Sequence, residues 1–470
     1  MISKSNYIFI PSLVICLSLV LFVLEYVHQI NFLALNSDQF RWIPLIADLY
    51  NGNLILSELW SPHSIHRAPA YISIFLINSY FFDLNMQIEQ YLGGISWIIL
   101  AILIVFCLSR YLKIKCSESN IKFFIISIFI PLIVINSQIL PTVLSYSVIS
   151  TRMIDNCLFI LGFVLINGIL YNSHSLKKIL FICFYLCFAT LFFGRGWSQI
   201  FLISALLGIF FQLMLSTKLK ELLRFSKINI ILLTLVILLF IYNFAFSGTT
   251  KSLNLDINNI INFSRFYDFS STFLGRIFTI QFFDINNKTH FSLIKLVGNA
   301  IIFLYFFAIA IFIKNKDYKL SVIPIFLILY SLIALCFIYI GRTSNLDNAW
   351  QGALFPRHLP EQSIGLAAVF AIIFSSIKKK SIIIFSSIIF LLPFFYIFVV
   401  SMTINFKHTI FFNKHSDLRI QTFFNNKDNF SLDDDVKKAR CIEKSICNNS
   451  RKIIYKFNIM KEARKRVSEE

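Results

Sequence analysis

Seven ionisable side chains crowd into residues 36–67, NSDQFRWIPLIADLYNGNLILSELWSPHSIHR: Asp38, Arg41, Asp48, Glu58, His63, His66 and Arg67. They follow directly on an apolar stretch and are interleaved with Trp42 and Trp60. Ionisable groups beside a bilayer persist where they are solvated, paired or used. Asp38 lies a few residues past the apolar stretch, which puts its carboxylate at headgroup level. A general base there can take a proton from a water-side hydroxyl while a lipid-borne reagent arrives from the other side. Glu58 is a second candidate of the same kind. The competing role for Asp38 is structural: Ser37-Asp38 capping a short helix, QFRWIPLIADLYNG, that ends at Gly52. Asp48 reads as a solvated residue on that helix.

The segment PHSIHR adds His63, His66 and Arg67. Two histidines three apart suit a metal, but further ligands are not close in sequence. Phosphate contact is the better functional reading, because the arginine fork holds two oxygens at once; an interfacial anchor is the structural alternative. More cations stand in two later polar segments, Arg265 and Arg276 in one, Arg342 and Arg357 in the other. Each serves either a membrane-level phosphate or a salt bridge to a nearby aspartate. Cys441 and Cys447 stand apart in a polar tail and suit a disulfide if that tail faces an oxidising compartment.

The elements that must position these residues are apolar helices. Hydrophobic residues make up 57% of the 470-residue chain and charged residues 14%, against roughly 25% charged in globular domains. Apolar runs of about 20 residues recur, the length that crosses a bilayer as helix. The expected fold is all-α, a polytopic bundle of about 11 spans. These fall near 7–27, 91–112, 123–140, 153–171, 179–193, 198–216, 228–247, 292–313, 320–340, 363–377 and 381–401. The first reads as a retained span, not a cleaved signal. Ala70–Phe82 is short for a crossing and reads as an interfacial helix. With that assignment, Arg110/Lys113/Lys115/Lys122, Lys177/Lys178, Lys218/Lys220/Arg224/Lys227, Lys314/Lys316/Lys319 and Lys378–Lys380 all fall on the side of the N-terminus, which the positive-inside rule makes cytoplasmic. Residues 1–401 then form a transmembrane domain with outer loops at 28–90, 248–291 and 341–362, and 402–470 an outer tail. Within that tail, DNFSLDDDVKKARCIEKSICNN reads as one capped, charged helix.

The net charge of +19 sits in short turns and the tail, so it speaks for topology rather than a nucleic-acid partner. No phosphate loop, dinucleotide fingerprint or HExxH motif occurs. Ionisable residues within the spans are few, Glu25 and Asp155 near span ends being the main ones, which disfavours an ion-coupled carrier.

The block S37-D38-Q39, D48-L49-Y50-x-G52, E58-L59-W60-x-P62-H63 and H66-R67, with the span layout and the tail, resembles polytopic GT-C-type glycosyltransferases. It is most similar to bacterial serotype-converting glucosyltransferases of lipopolysaccharide O-antigen. Ile65 stands where related bacterial membrane proteins often carry an acid, a departure that touches any role of His66–Arg67. The resemblance implies a GT-C-like fold and, as partners, an undecaprenyl-phosphate-linked sugar donor, glucose by analogy, and a periplasmic O-antigen acceptor. It implies inversion by single displacement, with Asp38 or Glu58 as base and arginines at the leaving phosphate. No metal or other cofactor is called for, since cationic side chains neutralise a monophosphate. An O-antigen polymerase is the chief alternative, from Arg342 through Gly352, and a lipid-linked oligosaccharide flippase the third.

Overall fold

Long runs of Ile, Leu and Phe cross a bilayer as helices because lipid leaves backbone groups no partner but each other. The computed structural model describes residues 6–30, 32–35, 39–60, 62–63, 66–67, 69–116, 120–135, 147–171, 176–192, 197–216, 234–239, 241, 261–279, 287–343, 351, 353, 359–378, 396, 399–400, 403–404, 410–411, 413–425, 430, 433–441 and 443–468. Apart from one two-residue hairpin, the regular structure in them is helical. The chain is a helical membrane protein.

The helices are α1 (Asn6–Ile30), α2 (Ile43–Tyr50), α3 (Pro69–Phe82), α4 (Met86–Lys115), α5 (Asn120–Val134), α6 (Ser147–Tyr171), α7 (Leu176–Phe192) and α8 (Trp197–Ser216). After them come α9 (Phe263–Thr279), α10 (Lys288–Lys314), α11 (Ile323–Thr343) and α12 (Leu359–Ser376), with α13 (Asp433–Ala439), α14 (Lys444–Lys456) and α15 (Lys461–Ser468) in the tail. Among the described residues, six helices are long and apolar enough to cross a membrane: the greater part of α4, α6, α8 and α11, and all of α10 and α12. Parts of α1, α5 and α7, and all of α3, form shorter apolar helices. Of the expected spans, 228–247 is described only at 234–239 and 241, and 381–401 lies almost entirely outside the described residues.

Side-chain contacts fix how the helices run. At one end Tyr111 donates to Asp317 Oδ2 at 2.7 Å, Lys115 pairs with the same carboxylate, Tyr171 donates to the Tyr318 carbonyl, and Asn315 donates to Ser376 at 3.2 Å. The end of α4, the end of α6, the α10–α11 turn and the end of α12 therefore meet, bringing Lys115, Lys314, Lys316, Lys319 and Lys378 together. At the other end lie the exit of α1, the first loop, the start of α4 and the tail. Cys157 Sγ donates to the Ser96 carbonyl at 3.3 Å, so α6 runs beside α4 in the same direction. Among the described residues, the basic turns around Lys115, Lys314–Lys319 and Lys378 thus share one end.

Three boundaries differ from expectation. The helix expected to open at Asp38 is split: a 3-10 turn covers Gln39–Arg41 and α2 begins at Ile43. Pro44 sits in the first turn of α2, where its fixed φ and missing amide hydrogen suit a helix start. Residues 263–279 of the supposed second outer loop are a continuous amphipathic helix, with Phe269, Phe273 and Ile277 on its buried face. The single tail helix is two, broken where Arg440 takes a left-handed φ of 52° beside Cys441.

Candidate functional site

The first loop folds as a small layer over the end of the bundle. Trp42 packs edgewise on Tyr71 with ring centroids 4.5 Å apart, and eight residues on Tyr50 donates to the Ser79 carbonyl at 3.0 Å. Helices α2 and α3 thus run side by side in that layer. Burial raises the Tyr50 hydroxyl above its ordinary value, and the nearby charges of Asp83 and Tyr80 add to the shift. A second 3-10 turn, Leu56–Trp60, follows, and Glu58 Oε2 accepts the Ile55 amide at 3.2 Å. Next, Pro62–His63 and His66–Arg67 pair as a tight antiparallel hairpin that sets His63 opposite His66. The α3–α4 turn is made by Asp83 and Leu84, both left-handed. Beneath it Glu89 is buried and accepts from Asn78 at 3.0 Å, with Gln39 Nε2 3.5 Å from its other oxygen.

The tail is folded onto this layer. Ser416 Oγ accepts the Leu33 amide at 3.2 Å, Asn413 donates to the Gln29 carbonyl at 2.9 Å, and Phe40 meets Phe423 at 5.5 Å. At its far end Asp83 accepts from the Lys461 amide at 2.6 Å through its side chain and from the Met460 amide at 3.2 Å through its carbonyl. Cys441 and Cys447 are joined, with Cα atoms 5.9 Å apart, across the α13–α14 turn. His415 is shifted below its ordinary value by burial, then by Arg419 and Arg440. Asp83 caps the start of α15, a bond worth about 1 kcal/mol. Replacing Asp83 by Ala is expected to speed amide hydrogen exchange in residues 459–468 several-fold without changing exchange in α4. Unchanged protection there contradicts the latch.

The candidate residues are distributed as follows. Asp38 and Arg357 lie outside the described residues. Glu58 is half-buried and its carboxylate holds its own turn. Arg41 is exposed on the surface of the layer. His63, His66 and Arg67 are placed by backbone in the hairpin. Arg265 stands in the first turn of α9, and Arg342 at the end of α11. Arg276 donates to the Ala353 carbonyl at 2.8 Å, and burial lowers its guanidinium to about 10. It ties the third loop to α9, and its charge persists at neutral pH. Asp268 pairs with Lys295 at 2.7 Å, a salt bridge of the plain kind. Among the described residues no group of three or more His, Cys, Asp or Glu side chains is placed to hold a metal.

A buried ionic cluster below the layer was not legible as such. Helix α12 begins at Leu359, earlier than the expected span, and carries Glu361 into the bundle at 0% exposure. Arg152, one residue before the expected span 153–171, is in α6; its Nε donates to Glu361 Oε1 at 2.6 Å. Asn156 donates to the same oxygen at 3.1 Å and accepts from Tyr330 at 2.6 Å. The Arg152 guanidinium lies over the Trp197 ring, 3.7 Å from its centroid. Asp155 is buried on the next turn position. The available signal was spacing: Arg152, Asp155 and Asn156 lie three and four apart and share one helix side. No protein-family model matches the chain, and neither a curated protein nor a solved structure matches it.

Proposed function

We propose that the protein is an inner-membrane glycosyltransferase of GT-C-like fold with about 11 spans, its N-terminus cytoplasmic and its tail periplasmic. It moves a sugar, glucose by resemblance, from an undecaprenyl-phosphate donor to lipopolysaccharide O-antigen. The observation that carries this reading is the cap. First loop and tail fold together at the end opposite the lysine-rich turns, where a water-side saccharide hydroxyl and a lipid-linked donor meet.

In this mechanism the acceptor hydroxyl oxygen attacks the anomeric carbon as its bond to the phosphate oxygen breaks. The electron pair leaves with the phosphate, and the hydroxyl proton passes to Asp38 or Glu58. Arginines stabilise the charge that grows on the phosphate. Arg276, bonded to the Ala353 carbonyl, is better suited to shaping the third loop than to that role, which leaves Arg41, Arg67, Arg265, Arg342 and Arg357, with His63 and His66.

The test is the lipopolysaccharide of a deletion strain complemented with variants. Wild type restores one side-branch sugar on an unchanged chain-length ladder. Asp38→Asn or Glu58→Gln is expected to lower transfer at least ~100-fold, the scale of a lost general base. Gln at 58 keeps an oxygen for the Ile55 amide, so its effect reports the charge and not the turn. Full transfer by both variants removes the proposed base. Loss of long chains from the ladder indicates a polymerase instead.

A further inference from the structure

The Arg152–Glu361 pair poses an energetic question. An ion pair withdrawn from water is usually no more stabilising than apolar side chains of the same size, and ionisable groups buried in a membrane bundle are expensive to keep. Four helices nevertheless supply this one: Arg152 and Asn156 from α6, Trp197 from α8, Tyr330 from α11 and Glu361 from α12. Gln362 and Ser331 stiffen the start of α12 beside it, Ser331 Oγ donating to Gln362 Oε1 at 2.7 Å and Gln362 Nε2 to the Ser331 carbonyl at 3.0 Å.

Depth narrows the purpose. Tyr171 lies at the lysine end, bonded to the Tyr318 carbonyl. Arg152 precedes it by nineteen residues of continuous helix, about 28 Å at ~1.5 Å per residue. That matches a hydrocarbon thickness of ~30 Å. With Tyr171 at one headgroup boundary, Arg152 sits at the other, where the phosphate of a membrane lipid lies. An arginine whose plane is fixed by an aromatic ring and a carboxylate offers a planar fork for phosphate oxygens. The second observation is on the carboxylate: Glu361 Oε2 is buried and has no hydrogen-bond partner among the described residues. A buried acceptor left so is costly, and a sugar hydroxyl supplies the missing donor.

We propose that Arg152 and Glu361 form the donor headgroup subsite, taking a lipid-borne glycosyl phosphate. Arg152 contacts the phosphate. Glu361 positions Arg152 through Oε1 and accepts a sugar hydroxyl at Oε2. The assignment rests on the transferase reading and names where that enzyme holds its donor.

The test uses the full-length protein in detergent, with undecaprenyl phosphate, undecaprenyl phosphoglucose, undecaprenol, phosphatidylglycerol and inorganic phosphate as probes in native mass spectrometry. Wild type is expected to prefer undecaprenyl phosphate to undecaprenol and phosphatidylglycerol at least tenfold. Glu361→Gln is expected to weaken undecaprenyl phosphoglucose more than undecaprenyl phosphate. Since one lone buried charge destabilises the fold, the deciding variant removes both: Arg152→Met with Glu361→Leu. It should melt within a few degrees of wild type and lose the preference for phosphate. A folded double variant that keeps the preference, or a double variant that fails to fold, overturns the subsite and leaves the transferase reading standing. Equal binding of phosphatidylglycerol or inorganic phosphate overturns it too, as a general anion site. Wild type that prefers no polyprenyl phosphate at all sinks both readings.

Discussion

Deleting residues 406–470 is expected to abolish sugar transfer, at least a 100-fold loss, while the spans still insert. The reason is what the tail covers. Phe32, Leu33, Ala34, Leu35 and Phe40 are buried in a segment that has only just left α1. Leu35 and Phe40 line a small cleft closed from the tail by Ile420, Phe423 and Phe424. Burying a large apolar side chain stabilises by about 1.5–3 kcal/mol, so several such residues outweigh anything the short helices of the first loop supply alone. The Leu33 amide also loses Ser416 as its acceptor. Without the tail, the carboxylates Asp38 and Glu58 hang on an unfolded loop. Limited proteolysis should then cut within residues 32–60, and Phe423→Ala should reproduce part of the effect, at a cost of about 3–5 kcal/mol. A tail-deleted protein with full transfer and a protected first loop contradicts the account.

The second large effect is expected at the crossing of α9 and α10. A Cβ on Gly298 would stand 1.7 Å from the Ser271 carbonyl oxygen, and one on Gly275 1.9 Å from that of Ile294. Both obstacles are backbone, so no rotamer change relieves them, and the helices must part. Close approach through small residues is how membrane helices gain contact where the hydrophobic effect gives little. Gly298→Leu is therefore expected to cost upwards of about 3 kcal/mol, beyond ordinary overpacking, and to remove most folded protein. The Lys295–Asp268 pair, one turn away, is lost with it. A melting temperature within a few degrees of wild type would show that the crossing is looser than described.

Much of this architecture was legible because its causes are one-dimensional. Span length and lysine placement are read directly from the chain, and the alternation of α4, α5, α6, α7, α8, α10, α11 and α12 follows them. Ala70–Phe82 was singled out by length, and Trp42 and Tyr50 fix it beside α2 in the cap. What escaped depends on neighbours far away in sequence. Glu361 looked like a loop residue until α12 began at Leu359, and Arg152 fell just outside the expected span 153–171 until α12 brought a carboxylate 2.6 Å from it. The amphipathic α9 was passed over because its polar face hides it from a hydropathy count. Asp83 gave no signal at all, since its role is to cap a helix nearly four hundred residues downstream.

The central claim is that the first loop and the tail share the periplasmic face. Single cysteines at Arg41 and Ser445, both exposed, placed in a protein whose seven cysteines outside the Cys441–Cys447 pair are replaced, report on it directly. In intact spheroplasts both should react with a membrane-impermeant maleimide at once. Labelling of either position only after the membrane is permeabilised would put that segment in the cytoplasm and contradict the account.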